Sequence, residues 1–355
     1  RHTPDERDYS HHRAGDVELK ERIVVICPGR GSYTRETQGY LSGGDFGDDI
    51  IRLDAKRKAD GLSTLTELDS TPFRTSTHFP GEHASLLIYA CGLVDFLAIE
   101  RDRFDIVALS GNSMGWYAAL GLGGALADGG DYTLVQTMGA MMKDGLVGGQ
   151  LIYPLVDEEW RRDREKEQLV AEALESAGGS LHQSIHYGGY SVIGGEEEAL
   201  KALAKSLPSI DDYPFRIPYN GAFHTPLMAE ISSRAFEILP ESLFRQPSLP
   251  LIDGRGVVWR PHSTAVTALR DYTLGQQVTE TFDFSAAVKV TVKEFCPDRV
   301  VVLGPGNQLG GAVGQILIEN KWLDIDSKAS FLKHQAKDPF VISMGILEQR
   351  GIVTK

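Results

Sequence analysis

The chain reads as an α/β protein whose parallel-sheet core is interrupted by one small α+β module. Three observations predict this. Short apolar, partly β-branched runs end in Gly/Pro corners or tight turns at Ile23 to Cys27, Phe104 to Leu109 and Asp298 to Leu303. Ala/Leu-rich stretches of helical character follow those corners or lead into them, as in the βα units of an open sheet. Between residues 148 and 219 the pattern changes to short strands around two amphipathic helices. At 355 residues the chain can bury a large core and a second, smaller one.

Taken in order, Arg1 to Lys20 is polar and has no apolar stretch of signal-peptide type, so residues 1–20 are expected to form an arm. Ile23-Val24-Val25-Ile26-Cys27 is a strand that ends in the loop Pro28-Gly29-Arg30-Gly31-Ser32. Ala84 to Leu97 is a buried helix, and Phe104 to Leu109 is the strand entering Gly111-Asn112-Ser113-Met114-Gly115. A helix leaves that turn at Trp116-Tyr117-Ala118-Ala119-Leu120, and another is expected over Tyr132 to Leu146. Then come a strand (Leu151 to Val156), a charged helix (Asp157 to Glu175) and two strands within His182 to Val192, around Gly188-Gly189. A helix (Glu196 to Leu207) and a strand (Phe215 to Tyr219) complete a β-α-β-β-α-β order, which is ferredoxin-like. Residues 21–147 and 220–355 then form the core domain, with 148–219 inserted. The remaining elements are helices at Pro226 to Ile238, Ser285 to Phe295 and Leu309 to Glu319, with strands at Pro250 to Asp253 and Asp298 to Leu303.

An apolar fraction of 42% and a charged fraction of 24% are those of an ordinary globular protein. No run of eighteen apolar residues exists, which argues against a membrane span. Three scattered cysteines form no C-x-x-C pair, which points to a reducing, cytoplasmic setting without a zinc site. Cys27 is expected as a small buried residue rather than a reactive thiol. A net charge of −13 disfavours nucleic acid as a partner. The basic clusters Arg52/Lys56/Arg57/Lys58 and Arg161/Arg162/Arg164/Lys166 are expected as solvated helix faces.

Gly111-Asn112-Ser113-Met114-Gly115 is a G-x-S-x-G pattern between strand and helix, the context that thrusts a serine out as a nucleophile and gives an α/β-hydrolase-like core. Such a hydroxyl needs a base, usually histidine. Among ten histidines, His224 lies after Asn220-Gly221-Ala222-Phe223, at the mouth of a helix. Its rival is His334, which with Asp324 or Asp326 would give the order serine, acid, late histidine.

Four ordered motifs resemble the malonyl-CoA:acyl-carrier-protein transacylase family, which includes the acyltransferase domains of polyketide synthases. Pro28-Gly29-Arg30-Gly31-Ser32-Tyr33 is similar to its P-G-Q-G-S-Q loop, and the serine turn to its G-H-S-x-G elbow. Gly221-Ala222-Phe223-His224-Thr225-Pro226-Leu227-Met228 is similar to its G-A-F-H-S-P-L-M segment, and Leu303-Gly304-Pro305-Gly306 to its late G-P-G corner. The resemblance spans about residues 22 to 320, and the insertion falls where the family has its ferredoxin-like subdomain. It implies ping-pong transfer: Ser113, activated by His224, takes an acyl group from acyl-CoA and passes it to the phosphopantetheine thiol of an acyl carrier protein. It also implies that the main-chain carbonyl of Gln277 orients His224 and that the amides of Arg30 and Met114 hold the oxyanion. Acyl-CoA is then a substrate, no cofactor or metal is held permanently, and a monomer is expected.

The chain departs from the family at the acyl site. Leu134-Val135-Gln136-Thr137-Met138-Gly139 places Met138 where malonyl-using members carry an arginine in L-V-x-x-R-G. That arginine pairs with the malonyl carboxylate in a bidentate fork, so methionine favours an uncharged acyl chain. Asn112 and Trp116 replace the usual histidine and glutamate, and either reshape the acyl pocket or repack its wall. Arg30 replaces glutamine, and reads equally as a substrate-anion contact or a solvent-facing loop residue. Two other functions fit the same motifs: a thioester hydrolase that clears carrier proteins, and a catalytically weak docking protein.

Overall fold

The computed structural model describes residues 19–43, 47–143, 145 and 147–354, so nearly all of the expected arm lies outside the described residues. In chain order the strands are β1 (Glu21–Cys27), β2 (Phe104–Gly111), β3 (Gly149–Pro154), β4 (Leu181–Tyr187), β5 (Tyr190–Gly195), β6 (Phe215–Arg216), β7 (Leu251–Ile252), β8 (Val258–Trp259), β9 (Phe282–Asp283), β10 (Arg299–Val302) and β11 (Val341–Ser343).

Six of them form one sheet in the order β11-β10-β1-β2-β7-β8, parallel except for the β7–β8 hairpin. Ile23, Val24, Val25, Ile26 and Cys27 on β1 are all fully buried, because helices cover both faces of this central strand. The helix Gly81–Ala98 is apolar on almost every side, with twelve buried residues, and packs against the helix Gly130–Ala140. The carboxyl-terminal helix Leu347–Val353 is pinned to this core by charge: Arg350 pairs with Asp95, whose side chain is fully buried. Asp95 also accepts from Tyr40 and from the amide of Gly304, both at 2.7 Å, tying that helix to the G-P-G corner.

The remaining strands form a five-stranded sheet in the order β6-β3-β5-β4-β9. Its first four strands and the helices Arg164–Ser176 and Glu197–Ser206 follow one another as β-α-β-β-α-β. A separate apolar cluster of Leu151, Tyr153, Val170, Ile193, Leu200 and neighbours lies between those helices and the sheet. The fifth strand, β9, comes from after this stretch and pairs in parallel with β4.

Several elements differ from the sequence reading. The helix expected from Asp157 starts at Arg164, because Asp157 and Asp163 turn their carboxylates onto local backbone amides and stop the chain from coiling earlier. The helix expected to Leu146 ends at Ala140. Only Phe215–Arg216 of the last expected module strand pairs. The helix Gly47–Ala59 is not a solvated basic face: Arg57 is fully buried, donating to the carbonyls of Ser63 and Glu82 and to Gln136, and Arg52 pairs with Asp131 at 2.6 Å. No described helix is long and apolar enough to cross a membrane.

Candidate active site

β2 delivers Ser113 onto a turn in which its φ is +55°, a left-handed conformation that non-glycine residues seldom adopt. Two glycines make the turn possible. A Cβ on Gly115 would lie 2.2 Å from the carbonyl oxygen of Cys27, and one on Gly111 would lie 2.2 Å from the backbone of Gly115. β1, the elbow and the helix Gly115–Leu122 therefore touch main chain to main chain. The first amides of that helix are taken up by the elbow itself, Gly115 donating to the carbonyl of Asn112 at 2.8 Å and Trp116 to that of Ser113 at 3.0 Å.

His224 reaches the elbow from the crossover that returns from the second sheet. Its Nε2 lies 2.7 Å from Ser113 Oγ, and its Nδ1 lies 2.5 Å from the carbonyl oxygen of Gln277. A carbonyl can only accept, so Nδ1 carries the proton and Nε2 is left to accept from the serine hydroxyl. His224 is 3% exposed, and burial pushes its imidazole down to about 4, against a smaller upward pull from the Gln277 carbonyl. It is therefore neutral and basic at neutral pH.

The Gln277 carbonyl is free for a local reason. A π-helical turn over Tyr272–Gln276 leads into a helical turn that stops at Thr279, with Glu280 extended. No amide one turn further on takes that carbonyl, so it points at the histidine. The Gln277 side chain binds back to the elbow, donating to the carbonyl of Ser113 at 3.2 Å and accepting from Tyr117 at 2.7 Å. Sequence reasoning misses Tyr117, whose only signal is its place four residues after Ser113, on the helix that follows the elbow.

Two cavities adjoin at Ser113. A cleft of about 820 Å³ runs between the sheets, with Asn112, Gln150, Tyr187 and Tyr213 on its walls. A chamber of about 50 Å³ holds Met114, Tyr117, Met138, His224 and Gln277. Ser113, Arg30 and Phe223 line both. The amides of Arg30 and Met114 have no acceptor among the described residues.

The remaining expected residues fall in different places. Met138 lines the small chamber beside Ser113, and Asn112 faces the cleft with its Oδ1 buried and unpaired. Trp116 is at neither cavity: it is fully buried, donates to Thr273 at 3.0 Å and stands edge-on to Tyr272. The elbow turns its side chain into the core, so it does not shape the acyl pocket directly. Arg30 does not face solvent freely; its guanidinium is bound to main-chain carbonyls. His334 is exposed on the helix Lys328–Lys337, and the serine's partner is His224. Cys27 is fully buried and its thiol is pushed up by that burial, so it is no nucleophile. No group of acidic, histidine and cysteine residues among those described could hold a metal ion.

No family model matches the chain. The polyketide biosynthesis acyltransferase homolog PksD of Bacillus subtilis is 23% identical over 241 residues, 66% of this chain and 71% of that protein. The malonyl-CoA:ACP transacylase of Synechocystis sp. PCC 6803 superposes with a TM-score of 0.71 at 17% identity, covering 94% of this chain and 99% of that one. The corresponding transacylase of Mycobacterium tuberculosis gives 0.70 at 21% identity, over 94% and 100% of the two chains. A malonyl-transacylase in complex with its type II polyketide acyl-carrier protein gives 0.69 at 16% identity, over 94% and 99%. Over nearly its whole length the chain has the fold of the malonyl-CoA:acyl-carrier-protein transacylases.

Proposed function

We propose that the protein transfers an acyl group from acyl-CoA, through an ester on Ser113, to the phosphopantetheine thiol of an acyl carrier protein. The observation that carries this reading is the chain of contacts from Ser113 through His224 to the Gln277 carbonyl. Ser113 Oγ attacks the thioester carbonyl while its proton passes to His224 Nε2. The carbonyl π pair moves to oxygen, to which the amides of Arg30 and Met114 donate hydrogen bonds; one such donor is worth about 3–4 kcal/mol. Collapse expels the CoA thiolate, which takes the proton from His224, leaving acyl-serine and free CoA thiol. The carrier thiol then repeats the sequence in reverse, giving its proton to His224, which returns it to Ser113.

The long pantetheine arm fits only the large cleft, so the acyl group turns into the small chamber. Met138 lines that chamber, and Arg30, the one cation on its wall among the described residues, gives its Nη2 donors to carbonyls. A short, uncharged acyl group matches this lining better than a free carboxylate, which would be buried without a partner. Intact-mass spectrometry after incubation with acetyl-, propionyl- and malonyl-CoA tests the reading. An acyl adduct that is absent from S113A and discharges onto carrier protein is expected, faster for acetyl than for malonyl. No adduct with any acyl-CoA would sink transfer, and discharge to water as fast as to carrier would make the protein a hydrolase.

A further inference from the structure

Arg30 bears on the site through its side chain as well as its amide. The guanidinium leaves the loop after β1 and ends among groups that carry no charge. Its Nη2 donates to the carbonyl of Phe79 at 2.8 Å and to that of Tyr219 at 2.9 Å, while Nη1 points to Asn220 Oδ1 at 3.5 Å. Its carbon sits 5.4 Å from the centre of the Phe223 ring. Nε is buried with no partner, and burial lowers the guanidinium to about 10, so it remains a cation at neutral pH.

Three of these four contacts fall on one segment, 217–224, which leads from the second sheet to His224. The contacts continue beyond Arg30. Asn220 donates to Gln150 on β3, Gln150 to Ser184 on β4 at 2.6 Å, and Ser184 to the carbonyl of Phe223 at 2.7 Å. Phe223 directly precedes the histidine. On its other side His224 is fixed by its own amide, which donates to Val278 at 3.0 Å, and by Gln277. The crossover is thus anchored to the Gln277 turn at one end and to Arg30 at the other.

We infer that Arg30 is a positioning residue: its guanidinium straps the 217–224 crossover onto the oxyanion loop, fixing the base against the amides that donate to the oxyanion. A planar fork suits this task. One Nη2 nitrogen bridges two chain segments at once, while the aliphatic stem and ring contact hold its direction. A lysine would bring a single point of charge without the fork. A misplacement of about 1 Å in such a constellation costs on the order of a hundredfold in rate. The inference rests on the acyl-transfer reading, because it assigns the strap to the acylation step.

The test uses the full chain and its R30A and R30K variants. It reads the rate of Ser113 acylation by acetyl- and malonyl-CoA, the KM for each, and hydrogen exchange over 217–224. R30A is expected to lose roughly tenfold to a hundredfold in acylation rate with both substrates, at unchanged KM. R30K should fall between R30A and the native chain, and millimolar ethylguanidinium should restore part of the R30A rate. Exchange over 217–224 should rise in R30A. A loss seen only in KM, or only with malonyl-CoA, would make Arg30 a substrate contact and overturn the strap. So would acylation within about twofold of the native rate. If R30A fails to fold, R30K decides the same question by the same readouts. Exchange needs no turnover: unchanged protection over 217–224 overturns the strap, whereas a native chain that forms no acyl-serine overturns the transfer reading instead.

Discussion

His224 donates a hydrogen bond from Nδ1–H to the carbonyl oxygen of Gln277 across 2.5 Å, and no carboxylate among the described residues bonds to the base. A carboxylate would stabilise the imidazolium strongly and lift the histidine. A carbonyl is a fixed dipole that raises it only weakly, so burial dominates and the ring settles at about 4. The arrangement favours a base that is neutral over the whole physiological range and is protonated only during the reaction.

This fixes the pH dependence. In the proposed reaction the reactive form is neutral His224, so activity is expected to be lost as pH falls through the folded-state value. Acylation of Ser113 is expected to be level at neutral pH and half-maximal near pH 4, measured by adduct formation over a few seconds. A midpoint near the ordinary histidine value of 6.5 would show that the ring is not desolvated as described.

The two parts of Gln277 are separable. Its carbonyl orients the base, while its amide group only ties the elbow to Tyr117. Q277A keeps the carbonyl and should lower acylation by about tenfold or less, whereas H224A removes the base and should lose roughly 10²–10⁴-fold. Equal losses in single-turnover experiments would mean that the side chain, not the carbonyl, holds the histidine.

Met138 offers a gain-of-function experiment. An arginine there would enter the chamber beside Ser113 and meet a malonyl carboxylate with a bidentate fork. M138R is expected to raise the malonyl-to-acetyl ratio of kcat/KM by about a hundredfold, the scale of a buried charge gaining its partner. A ratio that stays constant would remove Met138 from acyl selection.

Much of the site was legible in the sequence because it is written in local patterns. The Gly111 to Gly115 turn encodes its own strain and close contacts, and the resemblance led to His224 and Gln277. What was hidden depends on distant packing. Tyr117 looks like any helical aromatic until Gln277 folds over it. Trp116 stands where the family resemblance expects a glutamate, which points to the pocket or its wall, yet helical geometry carries it into the core beside Tyr272. Arg57 belongs to a cluster that looks solvent-bound, and only the approach of Gln136 and of the Glu82 carbonyl buries it. β9, two residues long, has no periodicity to detect.

The Arg350–Asp95 pair gives a stability test away from catalysis. Arg350 is partly exposed but its partner is not, so R350A leaves a buried carboxylate facing Tyr40 and the Gly304 amide alone. R350A should lose about 3 kcal/mol in urea unfolding. A change below about 0.5 kcal/mol would show the pair to be no stronger than a surface contact.

The short strand β9 follows Gln277 by only a few residues and zips onto the outer side of β4. The second sheet therefore borrows its last strand from the chain that positions the base. A fragment comprising 148–219 alone would expose the amides and carbonyls of β4 along an open edge. Such an edge recruits other strands, so the excised module should self-associate more strongly than the whole chain.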